Sequence, residues 1–107
     1  MTTFDEREKA AEAAFAHEQD VMFRAHARRD KKLGLWAAKL MGLNADETAA
    51  YIDQLLEAQT GGGGEAGILA KVVHDLGAAK AGQSEPQVHA KMNELLAAAM
   101  VEIKAGH

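Results

Sequence analysis

The sequence contains no cysteine and only one proline among its 107 residues. Without cysteine the chain can form no disulfide, no thiolate metal site and no cysteine nucleophile, which suits a reducing cytosol. Its longest apolar run, residues 95–101, is far shorter than the roughly 20 residues that span a bilayer. The charged N-terminus also lacks the apolar stretch of a secretory signal. We therefore expect a soluble cytoplasmic protein that does not insert into a membrane.

Positive charge and large apolar side chains are also scarce. Twelve Lys and Arg stand against sixteen Asp and Glu, so the net charge is −4. Phosphate neutralisation needs an excess of positive charge, so this balance argues against nucleic-acid binding, including a helical DNA-binding module. Twenty-three residues are alanine, which buries little surface. The length fits one domain with a small core and ordinary or low stability.

Four segments have the composition and apolar spacing of α-helices. The longest begins near Phe4, contains no proline, and has Gly34 as its one interior glycine before Gly42. The glycines at 61–64 predict a flexible linker between the second and third helices. Three helix starts carry the residue pairs of N-terminal capping boxes: Thr3 with Glu6, Asn44 with Glu47 and Ser84 with Gln87. No segment alternates with period two. The prediction is an all-α fold, a small antiparallel four-helix bundle of residues 19–107 with helices at about 19–41, 45–59, 65–81 and 85–105.

The first helix changes character along its length. Its beginning carries only a narrow apolar stripe, which includes Phe4, Phe15 and Met22. Further on, the stripe broadens to the spacing of a core-facing helix, at Leu33, Trp36, Ala37, Leu40 and Met41. Residues 1–18 are therefore predicted to form a separate N-terminal extension, mobile or helical, that has little to hold it down when the protein is free.

The two phenylalanines of this extension allow two interpretations. An exposed helix with aromatic residues at Phe4 and Phe15 can lie in a partner's groove, where such side chains act as hot spots and charged neighbours set the register. Alternatively, both rings pack on the outside of the bundle and the charged residues form a solvated face.

The segment from Arg28 to Lys32 has four positive charges in five residues and also allows two interpretations. It is either the solvated polar face of the first helix, with Asp30 reducing the repulsion, or part of a nucleotide site. In a nucleotide site, Arg28, Arg29 and Lys32 would meet phosphate and Trp36 would stack on a purine. The spacing of Trp36 is more typical of a core residue.

No catalytic or metal-binding pattern is present in the sequence. None of the five histidines has a histidine partner four residues away, and no H-E-x-x-H occurs. No nucleophile and base stand in a recognisable arrangement. We expect neither an enzyme nor a metal site.

The motifs FDEREKAAEAAFAHEQDVMF and ARRDKKLGLWAAKLMG cover almost all of the first 42 residues. They resemble the zeta subunit family of the α-proteobacterial F-type ATP synthase, formerly a domain of unknown function. Beyond Gly42 the resemblance rests on helix order, a tyrosine in the second helix and a K-x-x-x-D-L motif, here Lys71 to Leu76. The chain departs from the family at residues 61–64, where glycines replace acidic residues.

The resemblance implies a four-helix bundle that inhibits ATP hydrolysis by the catalytic head, with residues 1–18 entering an interface between alpha and beta subunits. Its implied partners are the alpha, beta and gamma subunits at the cytoplasmic face of the membrane, and the free protein is expected to be a monomer. No cofactor is required, but ADP or ATP is implied as a regulatory ligand. The implied partner-binding residues are Phe4, Asp5, Glu6, Arg7, Glu8, Glu12 and Phe15. The alternative is an adenine-nucleotide-binding module with a different partner and no inhibition.

Overall fold

The computed structural model describes the backbone of residues 3–106 and the side chains of residues 18–106. This part of the chain forms four helices and no strand, so the prediction of an all-α fold is confirmed. The helices are α1 (Thr3–Met41), α2 (Ala45–Thr60), α3 (Gly64–Ala78) and α4 (Glu85–Lys104). The prediction that residues 1–18 form a mobile or helical extension falls almost wholly on residues whose side chains lie outside those described.

The capping boxes predicted at Asn44 and Ser84 are present, and the side chains of Thr3 and Glu6 lie outside those described. At the start of α2, Oδ1 of Asn44 accepts from the Glu47 N–H at 2.8 Å, and Oε1 of Glu47 accepts from the Asn44 N–H at 2.9 Å. At the start of α4, Ser84 and Gln87 make the same reciprocal pair, with Pro86 in the first turn. These side chains satisfy backbone donors that have no partner inside the helix, and so they fix where the two helices begin.

The ends of α1 and α3 have the same geometry but different residues. After α1, Gly42 has a φ of +73° and the Leu43 N–H donates to the Ala38 carbonyl at 3.0 Å. After α3, the Ala81 N–H donates to the Leu76 carbonyl at 2.9 Å, but the left-handed residue is Lys80, with a φ of +56°. The left-handed turn at Lys80 ends α3 at Ala78, so the prediction that this helix reaches residue 81 is wrong.

Lys80→Gly is expected to raise the free energy of unfolding by about 1 kcal/mol, because glycine adopts a positive φ without the steric cost that lysine meets. Thermal unfolding followed by circular dichroism measures the change as a higher midpoint. Lys80→Ala is the matched control, because it keeps the steric cost and should give no gain. Equal midpoints for the two variants would contradict the assignment of strain to this position.

The core lies where α1 packs against the three shorter helices. Its buried side chains are Leu33, Ala37, Tyr51, Leu55, Ile68, Val72, Leu76, Val88 and Met92. A second, smaller cluster joins Val21 and Ala25 of α1 to Ala99 and Ile103 of α4. Among the described side chains of α1, burial begins at Val21, and residues 18–20 are exposed.

Tyr51 is buried, and its hydroxyl finds an acceptor described below. One detail of the predicted core is wrong. Leu40, predicted to face the core, is 40% exposed, because the last turn of α1 buries Ala38 instead and Met41 packs at the margin. Trp36 is only partly buried, at the margin of the core.

Candidate functional site: the basic segment of the first helix

Arg29 lies inside the bundle rather than on its surface, with 1% of the residue exposed. Its Nε donates to Oδ1 of the adjacent Asp30 at 2.8 Å. Its Nη1 donates to Oε2 of Glu65 at 2.8 Å, and Nη2 donates to Oε1 of the same carboxylate. Nη2 also lies 3.4 Å from Oε1 of Gln59. One guanidinium therefore joins α1, α2 and the first turn of α3, using the paired geometry that favours arginine over lysine.

The two carboxylates of this group are in different environments. Asp30 is fully buried, and its Oδ2 has no hydrogen-bond partner among the described residues. Burial raises the pKa of Asp30 above its ordinary value, and the Arg29 charge opposes that shift only in part. Glu65 is about half exposed at the side chain, and the hydrogen bonds from Arg29 lower its pKa. Burial acts to lower the pKa of Arg29, but its bonds to Glu65 and Asp30 outweigh burial and raise it.

Arg28 and Lys32 face a different helix. Lys32 Nζ lies 2.8 Å from Oε2 of Glu102 on α4, and Arg28 Nη1 lies 3.4 Å from Oε1 of the same residue. The hydrogen bond from Lys32 lowers the pKa of Glu102, with Arg28 adding to the effect. The interpretation of this basic segment as a solvated face is therefore wrong for Arg29 and Asp30, which are buried.

Trp36 completes the predicted nucleotide site and is only partly buried, whereas Arg29 is in the interior. The Nζ atom of Lys91, on α4, is 5.7 Å from the centre of the Trp36 ring, a distance typical of a cation–π contact. The structure thus places Arg28 and Lys32 on Glu102, Trp36 beside Lys91, and Arg29 in the interior. Nucleotide binding by these residues stays a prediction.

Sequence reasoning missed the acidic and amide partners of this segment, which are Gln59, Glu65 and Glu102. Glu65 directly follows the predicted glycine linker and is 36 residues from Arg29. Helical periodicity describes one helix at a time, so it carries no signal for a pair formed between helices.

A second polar group links α2 to α3 and accounts for the K-x-x-x-D-L motif. The Tyr51 hydroxyl donates to Oδ2 of Asp75 at 2.9 Å, and Lys71 Nζ lies 2.9 Å from the same oxygen. Lys71 also lies 5.1 Å from the centre of the Tyr51 ring. Burial raises the pKa of Tyr51, and the hydrogen bond to Asp75 adds to this shift. The motif therefore places the Asp75 carboxylate where it can accept a hydrogen bond from the buried Tyr51 hydroxyl.

Tyr51→Phe is expected to lower the free energy of unfolding by about 1 to 2 kcal/mol. A hydrogen bond to a charged group contributes about 1.5 to 3 kcal/mol, and the cost is at the lower end because Asp75 keeps its ion pair with Lys71. The variant should also change how the free energy of unfolding depends on pH in the alkaline range. Because the pKa of Tyr51 is raised in the folded state, its contribution is complete below the ordinary value of 10.0 and is lost as pH rises above it. Urea unfolding at neutral and alkaline pH measures both effects. A cost that is the same at both pH values would contradict the role of the hydroxyl proton.

The predicted partner-binding residues cannot be placed in the same way. Those residues are Phe4, Asp5, Glu6, Arg7, Glu8, Glu12 and Phe15, and they lie outside the described side chains. Within residues 18–106, no three His, Asp or Glu side chains gather in a way that could hold a metal ion. Over the same residues, no helix has the length and apolar character needed to cross a membrane.

The architecture is that of a small all-α bundle, in which the 39-residue α1 packs against three shorter helices and the buried Arg29 links α1 to Glu65 at the start of α3. The sequence profile of the ATPase inhibitor subunit zeta family matches residues 1–102. The chain therefore belongs to that family, whose members are described as inhibitor subunits. No curated protein matches the chain significantly.

Proposed function

We propose that this protein inhibits ATP hydrolysis by the catalytic head of an F-type ATP synthase, with residues 1–18 entering an interface between alpha and beta subunits and reaching the gamma subunit. The observation that carries the proposal is the family match, which runs from residue 1 through the whole N-terminal segment and most of the bundle. The site of action is the cytoplasmic face of the membrane.

The physics of α1 supports this mode of action. The helix has 39 residues, so it is about 58 Å long, whereas the three helices it packs against have 16, 15 and 20 residues. The core clusters take up only the part of α1 from Val21 onward among the described side chains. A helix that exceeds its bundle in this way suits insertion into a groove, where Phe4 and Phe15 would each contribute about 2 kcal/mol or more to binding.

The test is ATP hydrolysis by a purified α-proteobacterial catalytic head, with the full-length protein and with a form comprising residues 19–107. Inhibition by the full-length protein alone is the expected result. Circular dichroism checks that the shortened form is folded, and Phe4→Ser and Phe15→Ser in the full-length chain provide variants with the bundle unaltered. Equal inhibition by both lengths would contradict the role of residues 1–18, and no inhibition by the full-length protein would overturn the proposed function.

A second candidate is regulation by ADP or ATP, favoured by the position of Lys91, whose Nζ lies 5.7 Å from the centre of the Trp36 ring, and of Lys32, one helical turn before Trp36 on α1. Trp36 is only partly buried, and the ammonium group of Lys91 lies over its ring. In this proposal a purine stacks on the Trp36 ring in place of that ammonium group, and Lys32 and Lys91 bind the phosphates. Arg29 is left out of this proposal, since its donors are used by Glu65 and Asp30.

Trp36 is the one tryptophan of the chain, so its fluorescence tests the nucleotide proposal directly. ADP and ATP are expected to change the emission, and inorganic triphosphate, which has no base to stack, is expected to change it little. A response equal for all three compounds would contradict stacking. Nucleotide binding without inhibition of the catalytic head would instead support a nucleotide-responsive module with another partner.

A further inference from the structure

Phe23 is a large apolar side chain left uncovered by the bundle, with 69% of the residue exposed. It stands between two shallow grooves that both include Ala27 of α1 and Leu56 of α2. Large aromatic residues at this level of exposure are common anchors of protein interfaces. The position of Phe23 on a rigid helix, rather than on a loop, presents the ring in a fixed place.

The first groove beside Phe23 is basic. Its lining includes Arg24, Arg28 and Lys31. Among the described residues, Lys31 is exposed and makes no ion pair, and the ion pair that Arg24 makes is with Asp20, at 3.7 Å with both side chains more than half exposed. Arg29 is buried, and Arg28 and Lys32 pair with Glu102. The exposed positive charge of this groove therefore comes from Arg24 and Lys31, in a chain whose net charge is −4. A surface of this kind favours a partner with an acidic face around an apolar contact.

The continuity of α1 suggests which partner this is. Phe23 follows Phe15 by eight residues on one uninterrupted helix, which corresponds to about 12 Å along the axis and about 80° around it. A partner that holds residues 1–18 in a groove therefore reaches the next two turns of α1, but from the side rather than along the same apolar stripe.

We propose that Phe23, with the basic side chains of Arg24 and Lys31, forms a second docking surface that binds an acidic face of the catalytic head. The proposal rests on the proposed function and deepens it. Residues 1–18 act at the subunit interface, and the Phe23 surface holds the start of the bundle against the outside of the same head. Its contribution is to affinity and association rate, while the extent of inhibition at saturation depends on residues 1–18.

The test is the concentration dependence of inhibition by full-length variants, measured at low and high salt. Phe23→Ser is expected to raise the half-inhibitory concentration about tenfold or more without lowering maximal inhibition, as for loss of an interface anchor. Phe23→Leu should recover part of the loss. Lys31→Glu should weaken inhibition at low salt and reduce its salt dependence. The matched control is Leu35→Ser, which changes another exposed apolar residue of α1, 55% exposed and 12 residues further on.

The outcomes separate this inference from the proposed function. If the unaltered protein inhibits and Phe23→Ser inhibits equally well at every concentration, the docking surface is overturned and the proposed function stands. If the unaltered protein does not inhibit at all, both are overturned. If light scattering shows that Phe23 instead mediates self-association, and that the monomer inhibits without it, the inference is wrong in its choice of partner. Thermal unfolding of each variant checks that the bundle is intact.

Discussion

Arg29→Met is expected to lower the free energy of unfolding by about 3 to 5 kcal/mol, the range for removing one partner of a buried ion pair. The reason is the environment of Asp30, which is fully buried and accepts a hydrogen bond from Arg29 at 2.8 Å, while its other oxygen has no donor in the part of the chain that the structure describes. Without the guanidinium, Asp30 must remain charged in an apolar interior or take up a proton, and both are costly. Urea unfolding at neutral pH measures the loss.

Two further variants test whether the buried carboxylate is the cause. Arg29→Met combined with Asp30→Leu removes both charges and is expected to recover most of the stability, because apolar replacements of a whole buried pair are often neutral. Glu65→Gln is expected to lower the free energy of unfolding by less than Arg29→Met does. The Glu65 side chain is 52% exposed, and in this variant Arg29 still forms its ion pair with Asp30. A double variant as unstable as Arg29→Met alone would contradict this account and point to lost packing.

The two carboxylates also give opposite responses to acid. Arg29 lowers the pKa of Glu65, so the stability from this pair is present above the ordinary value of 4.5 and is lost as pH falls through the lower folded pKa. The pKa of Asp30 is raised, so the cost of its buried charge is relieved as pH falls through that raised value. In Arg29→Met, the acid-side loss due to Glu65 should disappear and the relief at Asp30 should increase.

The sequence was sufficient to predict what is encoded locally. The start of α2 at Asn44 and of α4 at Ser84 depend on residues only three positions apart, so both could be identified without a structure. The number of helices and most core positions follow from periodicity within single helices. Tyr51 shows the limit of this method, because a tyrosine at a helix edge becomes buried only when another helix supplies an acceptor, and that acceptor is Asp75.

The candidate site was less predictable for the same physical reason. Arg29 lies in a run of charges, and such runs usually face solvent, so its burial depends on Glu65 arriving from α3. The sequence also did not predict how closely α2 approaches α1. Gly34 could be recognised as the one interior glycine of the first helix, but not as the position where α2 contacts that helix. In the structure Gly34 is buried, and a Cβ atom placed on it would lie 2.6 Å from Cγ1 of Ile52 and 3.4 Å from the Ile52 Cα.

Gly34→Leu is accordingly expected to lower the free energy of unfolding by about 2 to 3 kcal/mol, because the added side chain must separate α1 from α2 where their backbones approach. Gly77→Leu is the matched control, since Gly77 is an exposed glycine of α3 with no atom within 4 Å of the added Cβ. The control should be neutral or gain up to about 1 kcal/mol from its better helix propensity. Urea unfolding monitored by circular dichroism measures both variants.

The smaller substitution Gly34→Ala distinguishes the effect of close packing against α2 from the effect of helix propensity at this position. Gly34→Ala should be destabilising in the unaltered protein but stabilising in an Ile52→Ala background, because the atom it would meet first is then absent. If Gly34→Ala were stabilising in both backgrounds, helix propensity rather than close packing would govern the position. In that case Gly34 would not explain how closely α2 approaches α1. The burial of Arg29 five residues earlier would then depend on its own ion pairs alone.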